Sequence, residues 1–317
     1  MRERQNGGLR LLLFVLLLQP YYLVHSDEHA LAVLYPTSAI DQDGALLQEM
    51  LEGILEASGD WHVTTYATIE NDEASLRAFL RSGNPSQVIT LGRSSYDLYQ
   101  RQRGPNDPEP VVGALDITRD THPLAHGVGM DVAPEQLFVR LKVLAPEVTR
   151  VLAVYDPHRD TTTMRQAMVS ASAHGLQFQG FQAVDASQSS RHFSNLFRYA
   201  NPISDALWLP PDENLIRHDT HLPAIIEESW NRRFTVFSSN AEHAKHGVLF
   251  AVYPDPKAMG RALVEIASQH PYERDGLGTL SDVESSLDLR VVRHLGLELP
   301  DDASSVFSHI IRGNESL

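Results

Sequence analysis

Short apolar runs alternate with amphipathic stretches along most of this 317-residue chain, and this alternation restricts the folds that the chain can adopt. Apolar runs of about four to eight residues are typical of buried strands, whereas apolar residues at every third or fourth position are typical of helices. Strands that alternate with helices form βαβ units around a parallel sheet. The sequence therefore predicts an α/β fold.

The alternation occurs in two series. In the first, the pattern predicts helices at 45–57 and 74–80 and strands at 30–35, 62–66, 87–91 and 111–115. In the second, it predicts helices at 134–144, 164–174, 193–199, 222–230 and 256–268, and strands at 150–155, 177–184, 206–209, 234–237 and 248–252. Each series is long enough to form a domain. We therefore predict two Rossmann-like lobes with parallel sheets and a ligand cleft between them.

The segment 116–130 is predicted to be the first crossing between the lobes. It is polar, and Pro123, Gly127 and Gly129 interrupt it. The N-terminal lobe is accordingly assigned residues 27–117 and about 248–275. The C-terminal lobe is assigned residues 118–247 and about 276–317.

The first 26 residues have the layout of a secretory signal peptide. Arg2, Arg4 and Arg10 supply positive charge, residues 9–18 are almost entirely apolar, and Ser26 provides a small residue for cleavage. An apolar run of about ten residues is too short to cross the roughly 30 Å hydrocarbon core of a bilayer. We expect a periplasmic protein with a cleaved leader. The alternative is a leader that is retained and anchors the protein to the outer face of the inner membrane.

Charge and cysteine content exclude several classes of function. The formal net charge is −15, and loss of the leader, with three arginines and one glutamate, would bring it to −17. A surface of this sign repels nucleic acid and anionic lipid, so we expect neither as a partner. The chain has no cysteine, which excludes disulfides, thiolate metal sites, cysteine nucleophiles and a lipid anchor on an N-terminal cysteine.

The common catalytic and cofactor-binding motifs are missing. The sequence has no G-x-S-x-G elbow, H-E-x-x-H pair or P-loop, and Gly127-Val128-Gly129 lacks the third glycine of a dinucleotide fingerprint. The pairs His218/His221 and His243/His246 have a spacing that suits a metal, but no third ligand is evident nearby. A solvated helix surface is the simpler interpretation. We therefore expect no catalytic residue, no metal and no cofactor.

Polar side chains follow most of the predicted strands, at the sheet edge where open parallel sheets bind their ligands. The predicted ligand-binding residues of the first lobe are Ser38, Ser94, Ser95 and Asp116. Those of the second series are Tyr155, Asp212, Asn214, Ser238, Ser239 and Tyr253. The alternative for each Ser, Asp or Asn is that it caps the following helix.

The charges of these residues predict the kind of ligand. We expect Ser94, Ser95 and the first turn of the following helix, with Arg93 nearby, to hold a carboxylate. Asp212, in the other lobe, is expected to hold an ammonium group, and the two tyrosine rings to stack on the body of the ligand. The predicted ligand is a small zwitterion or carboxylate, such as an amino acid, that both lobes contact.

Four segments, at 145–157, 207–214, 234–260 and 287–300, resemble the ABC transporter substrate-binding proteins that include tryptophan and tyrosine binders. The resemblance implies the fold of type I periplasmic binding proteins. It matches Asp212 and Asn214 to a strand-end Asp-Asn of the family, Ser238 and Ser239 to its strand-end serines, and Gly247 and Gly260 to its framing glycines. The chain departs from the family at Thr118-Arg119-Asp120, where relatives have a threonine-glycine turn, and at 253–257, where they have a Gly-Tyr-Tyr-like stretch.

The function implied by the resemblance is that of a solute-binding protein of an ABC-type importer. Its partners would be a small-molecule ligand and an ABC transporter permease, and we expect a monomer. Two alternatives remain open from the sequence. One is a sensory or orphan binding protein without a transport role, and the other is a serine hydrolase that uses Ser94 or Ser238 with a histidine partner.

Overall fold

The computed structural model describes residues 29–114, 117–269, 276–299 and 303–312, apart from the side chains at 38–43, 114, 303 and 304. The predicted leader, 1–26, lies outside the described residues. Among the helices that are described, none has an apolar stretch long enough to cross a membrane.

The N-terminal half of the chain forms the larger part of the first lobe. Its elements are β1 (Ala30–Pro36), α1 (Thr37–Ala57), β2 (His62–Thr68), α2 (Glu73–Gly83), β3 (Gln87–Leu91), α3 (Arg93–Gln102), β4 (Pro110–Ala114) and β5 (His126–Val132).

The second lobe follows. The elements to the end of the second series are α4 (Pro134–Leu144), β6 (Arg150–Tyr155), α5 (Thr161–Ala173), β7 (Gln177–Gln182), α6 (Ala186–Tyr199), β8 (Asp205–Leu209), α7 (His221–Arg232), β9 (Thr235–Ser238), α8 (Ala241–Lys245) and β10 (Phe250–Pro254). The C-terminal elements are α9 (Pro256–Ser268), β11 (Leu277–Leu280), β12 (Val283–Asp288), α10 (Leu289–Leu295), α11 (Ala303–Val306) and β13 (His309–Ile311). The chain returns to the first lobe at α9 and then passes back to the second lobe at β12.

The described strands form two sheets, one in each lobe. The first has the order β11-β5-β4-β3-β1-β2, and the second has the order β13-β12-β10-β9-β8-β6-β7. Pairing is parallel except between β10 and β12. The predicted α/β fold with two lobes and mostly parallel sheets is therefore confirmed.

Both faces of each sheet are covered by helices. In the first lobe α1 and α9 pack on one face, while α2 and α3 pack on the other. In the second lobe α4, α5 and α10 cover one face, and α6 and α7 cover the other. Because strands buried on both faces need apolar side chains in both directions, the central strands read as continuous apolar runs rather than as alternating ones.

The described chain passes between the lobes at three places, and all three differ from the predicted boundaries. The first lies after β5, not within 116–130, because 126–132 pairs with β4 as a strand. A Cβ on Gly127 would lie 2.0 Å from the carbonyl oxygen of Val112, so this glycine permits close strand packing and does not mark a linker.

The later boundaries are also corrected by the strand pairing. β10 lies in the second sheet beside β9 and β12, whereas the sequence analysis placed 248–254 in the first lobe. The chain returns to the first lobe only at α9, whose first turn is capped by Asp255. β11, assigned to the second lobe, pairs with β5 in the first.

The return of α9 to the first lobe depends on two glycines. A Cβ on Gly53 of α1 would lie 2.0 Å from the carbonyl oxygen of Lys257, and a Cβ on Gly260 of α9 would lie 2.1 Å from that of Met50. The two helix backbones are therefore in direct contact, and any side chain at these positions would force them apart.

We expect Gly53→Ala to lower the free energy of unfolding by about 1–3 kcal/mol or more, because the added methyl group meets backbone atoms that cannot rotate away. Gly44→Ala is the matched control in the same helix, since no atom lies within 4 Å of its added Cβ. The control should be neutral or stabilising by up to about 1 kcal/mol. Equal effects of the two substitutions in urea denaturation would contradict the close packing.

Candidate functional site

Three aspartates from the two lobes approach one another where the strands end. Asp131 is the penultimate residue of β5 in the first lobe. In the second lobe, Asp160 precedes α5 and Asp212 follows β8. Burial raises the pKa of Asp160, and the charges of Asp131 and Asp212, the next largest causes, act on its carboxyl from the two lobes. We call these three residues the acidic cluster.

Asp160 is a buried carboxylate that is not satisfied by the protein. It occupies the N-cap position of α5, yet its side chain makes no capping hydrogen bond. Its Oδ2 atom is buried and has no hydrogen-bond partner among the described residues. Burial, followed by the charges of Asp131 and Asp212, raises the pKa of Asp160 to about 7, and Arg159 opposes the shift.

Asp212 has one oxygen bound and one unpaired. Its Oδ1 accepts hydrogen bonds from the backbone N–H groups of Asn214, at 2.9 Å, and Leu215, at 3.3 Å. These bonds fix the turn after β8 and the direction of the carboxylate. Its Oδ2 is buried without a partner in the described part of the chain, and the residue is only 4% exposed. Buried polar atoms without a partner are uncommon in folded proteins, so Asp212 is a candidate for binding a hydrogen-bond donor.

Basic groups lie beside the acidic cluster and leave one donor unpaired. The Nε atom of Arg159 is buried with no partner among the described atoms. Burial raises the pKa of Asp131, and the charges of Arg119 and Arg159 and a hydrogen bond from Thr163 act in the opposite direction. Arg119 also donates from Nε to the carbonyl oxygen of Leu277. Positive and negative groups therefore alternate along this part of the cleft.

The loop after β4 connects the two lobes directly at the same place. The carboxylate of Asp120 accepts hydrogen bonds from the backbone N–H of Thr162, at 2.8 Å, and from its hydroxyl, at 2.6 Å. The hydroxyl of Thr118 donates to the carbonyl oxygen of Arg159 at 2.8 Å. Asp120 of the first lobe thus caps α5 of the second lobe, whereas Asp160, at the N-cap position of α5, makes no capping hydrogen bond. We call these contacts the interlobe latch.

The residues predicted to hold a carboxylate lie in a separate part of the first lobe. Arg93 and Ser94, together with Thr37 and Thr68, line a cavity of about 430 Å³ at the carboxyl ends of β1, β2 and β3. Arg93 and Ser94 are exposed, although Arg93 also lies 3.6 Å from the carboxylate of Asp97. Ser95 is completely buried, and its hydroxyl lies 2.7 Å from that of Thr68. That bond belongs to the packing of the lobe, so a ligand contact by Ser95 stays a prediction.

The aromatic and amide residues of the second lobe have partners of their own. The Tyr155 hydroxyl accepts a hydrogen bond from the Gln182 side chain at 3.1 Å, and the Tyr253 hydroxyl lies 2.9 Å from that of Ser286. Both tyrosines are half-buried, and Asn214 is exposed. Their predicted ligand contacts are not tested by this geometry.

Ser238 and Ser239 are buried at the end of β9. The Ser239 hydroxyl accepts a hydrogen bond from the indole N–H of Trp208 at 3.1 Å. The Ser238 hydroxyl lies 2.8 Å from Nδ1 of His243 and donates to the carbonyl oxygen of Leu209 at 3.0 Å. A histidine partner therefore does lie beside Ser238, although no sequence motif indicated one. Burial lowers the pKa of His243 to about 3, with smaller contributions from His218 and His246.

Two predicted residues cannot be placed, and three functional candidates escaped the sequence analysis. Asp116 and the Ser38 side chain lie outside the described residues. The residues that were missed are Asp131, Asp160 and Arg159. Asp160 carried the usual signal, a polar side chain between a strand and a helix, but Asp131 lay in a segment taken as the end of a linker.

The histidines near β9 do not form a recognisable metal centre. His218 lies 5.3 Å from His243 and 6.1 Å from His246, measured between ring centroids. Nevertheless, no three His, Asp or Glu side chains in the described ranges are arranged to hold a metal ion.

The chain is similar in structure to two solved bacterial proteins. An ABC domain in complex with L-Trp from Streptococcus pneumoniae matches with a TM-score of 0.59 and 16% identity, over 89% of this chain and 99% of that chain. CD0873 from Clostridium difficile, a substrate binding protein with adhesive properties in a ligand-free, open structure, matches with a TM-score of 0.63 and 14% identity, over the same shares.

A regulator also has this architecture. A LacI family transcriptional regulator from Bifidobacterium animalis matches with a TM-score of 0.50 and 11% identity, over 81% of this chain and 96% of that chain. No protein-family profile matches the sequence, and no curated protein matches it. At these identities the likeness shows the fold alone, which is the two-lobed fold of type I periplasmic binding proteins, as the resemblance implied.

We expect Asp160→Asn to stabilise the protein at pH 8 by a few kcal/mol, and to have little effect at pH 4. The pKa of Asp160 is raised from 3.8 to about 7, so the wild type loses stability as the pH rises from about 4 to about 7, where the unfolded chain has lost this proton and the folded carboxyl still holds it. The asparagine stays neutral throughout, so the difference between the two proteins should grow between pH 4 and pH 8.

The control for this experiment is Asp219→Asn. Asp219 is exposed, and its hydrogen bond from Arg217 lowers its pKa, so its removal should not stabilise the protein at pH 8. Denaturant midpoints across this pH range measure both effects. A wild type that is more stable than Asp160→Asn at pH 8 would contradict the claim that the ionised, buried carboxylate of Asp160 destabilises the protein.

Proposed function

We propose that this protein binds a small molecule in the cleft between its lobes and performs no chemistry on it. The observation that carries the proposal is the pair of buried, unpartnered carboxylate oxygens, Oδ2 of Asp160 and Oδ2 of Asp212. Both side chains lie at the carboxyl ends of strands, where ligands bind in open parallel sheets. Leaving a buried acceptor unpaired costs about 1–3 kcal/mol, which a ligand with suitable donors would recover.

The ligand that we propose is a small zwitterion or carboxylate, such as an amino acid. An ammonium group supplies three N–H donors and a positive charge, which suits the unpaired carboxylate oxygen of Asp212. The carboxylate end would bind in the first lobe, where Arg93 and Ser94 line a cavity at the start of α3. That L-Trp binds to a protein of the same fold supports an amino acid as the first class to examine.

Binding would favour the closed arrangement of the lobes. The acidic cluster takes one residue from the first lobe and two from the second, so a ligand that contacts all three interacts with both lobes at once. Such a ligand stabilises the closed form by its difference in affinity for the closed and open forms. The interlobe latch would form in the same movement, because Asp120 can cap α5 only when the lobes are close.

We further propose that the protein works in the periplasm and delivers its ligand, as a monomer, to the permease of an ABC-type importer. The leader at 1–26, the missing cysteine and the acidic composition support this location. An orphan or sensory binding protein would have the same cleft. The two roles differ in whether the closed form is recognised by a permease.

The serine hydrolase alternative receives one favourable observation and two unfavourable ones. His243 lies 2.8 Å from the Ser238 hydroxyl, as a general base must. However, Ser238 is completely buried, so a substrate has no access to it. Its hydroxyl also donates to the carbonyl of Leu209 and accepts from the backbone N–H of Asn240. These bonds stabilise the turn between β9 and α8 and leave the hydroxyl proton bound to a carbonyl oxygen.

A thermal-shift screen over amino acids, peptides, amines, purines and sugars tests the proposed function. A ligand at a hundred times its dissociation constant should stabilise the protein by about 2.7 kcal/mol. Asp212→Asn should weaken binding of the best hit by roughly thirty-fold or more, because it removes one buried charged hydrogen bond. The asparagine keeps an oxygen for the turn at Asn214 and Leu215, so the fold should be preserved.

Asp219→Asn is again the control, because Asp219 is an exposed residue paired with Arg217. It should bind the hit as the wild type does. A screen without any hit, or a hit that Asp212→Asn binds unchanged, would refute the proposed site.

A further inference from the structure

We infer that the ligand carries a net positive charge and presents two separate nitrogen donors, as a basic amino acid or a diamine does. This inference rests on the proposed function and narrows the class of ligand for the same cleft. It excludes neutral zwitterions as the preferred ligands, and it is carried by the unpaired acceptors, the charge balance and the interlobe latch.

The two unpaired carboxylate oxygens can accept hydrogen bonds from two donors of a ligand. Oδ2 of Asp160 and Oδ2 of Asp212 both lack a partner among the described residues, and the two side chains are 8% and 4% exposed. They belong to different strand ends, one after β6 and the other after β8. Nitrogen groups are the donors that carry positive charge, and a charge-assisted bond to each carboxylate is about twice as strong as a neutral one.

The charge balance of the cleft is negative. The carboxylates of Asp131, Asp156 and Asp212 act on that of Asp160, and Arg159 opposes them. Arg119 adds a second guanidinium group beside Asp131, and Asp120 adds a fifth carboxylate. Five negative and two positive groups leave an excess of three negative charges when all are ionised. A neutral zwitterion adds nothing to this sum, whereas a cation reduces the excess, which matters because uncompensated charge is expensive to bury.

The position that suits an anion in the second lobe is already filled. The N-terminus of α5 faces the cleft, and helix N-termini commonly hold ligand carboxylates. Here Asp120 occupies the backbone N–H and the hydroxyl of Thr162, and Asp131 receives a hydrogen bond from Thr163. A ligand carboxylate would have to displace Asp120 and would then lie beside the acidic cluster. The N-terminus of α5 therefore offers little binding energy to a ligand carboxylate, and Nε of Arg159 is the one buried donor beside it that has no partner among the described residues.

A cation would also change the protonation of Asp160. Burial, followed by the charges of Asp131, Asp212 and Asp156, raises the pKa of this carboxyl to about 7, and Arg159 opposes the shift. Positive charge beside it favours the ionised form, so binding releases a proton. Affinity for the ligand should accordingly fall as the pH drops below 7, where the proton has to be removed first.

Isothermal titration calorimetry with L-lysine and L-norleucine tests the inference, because these probes have the same chain length and differ only in the second ammonium group. L-lysine should bind at least ten-fold more tightly than L-norleucine, and putrescine should bind detectably without any carboxylate. At pH 5.5 the affinity for L-lysine should be at least ten-fold weaker than at pH 8. Titrations in two buffers of different ionisation enthalpy should show proton release near pH 7.

Asp160→Asn tests the role of the carboxylate charge, because asparagine has nearly the same shape as aspartate and carries no charge. This variant should lose both the preference for L-lysine over L-norleucine and the pH dependence of binding, whereas Asp219→Asn should keep both. If L-norleucine, or a neutral hit of the screen that still requires Asp212, binds as tightly as L-lysine, the cationic ligand is wrong and the proposed binding function stands. If no compound in either experiment binds, both are wrong.

Discussion

Burial of like charges where the two lobes meet is the constraint on which the rest of this account depends. Asp131, Asp160 and Asp212 come from different strands, and their mutual repulsion together with burial raises the pKa of Asp160 to about 7. Such an arrangement opposes folding unless something compensates it. Arg119 and Arg159 compensate in part. The remaining negative charge is the basis of the cationic ligand that we propose.

The interlobe latch adds a second constraint, which links closure to the same residues. Asp160 stands at the N-cap of α5 without capping it, and Asp120 of the opposite lobe performs that task. The carboxylate of Asp160 therefore remains available to a ligand, while the helix N-terminus does not. Two carboxylates of the first lobe thus engage the start of α5, since Asp120 accepts from Thr162 and Asp131 from Thr163.

Local patterns in the sequence predicted the elements well, and they predicted the site only in part. Apolar runs such as 150–155 identify buried strands because burial on both faces leaves few alternatives. Asp212 was a predicted ligand-binding residue because a polar side chain at a strand end can be recognised from the sequence, and its contact with a ligand stays a prediction. Asp131 was not, because its importance depends on contact with a distant helix, and Gly127 suggests a linker unless the backbone of β4 beside it is known. Periodicity carries information about neighbours in sequence, not about which lobe a strand joins.

The most direct test is an NMR titration of the Asp160 side-chain carboxyl carbon, in the free protein and in the presence of saturating L-lysine. The account predicts a midpoint near pH 7 in the free protein, and a midpoint that is clearly lower when the cleft holds the cation. A midpoint in the range of an ordinary, exposed aspartate in the free protein, with no change on addition of L-lysine, would contradict the acidic cluster as the centre of the binding site.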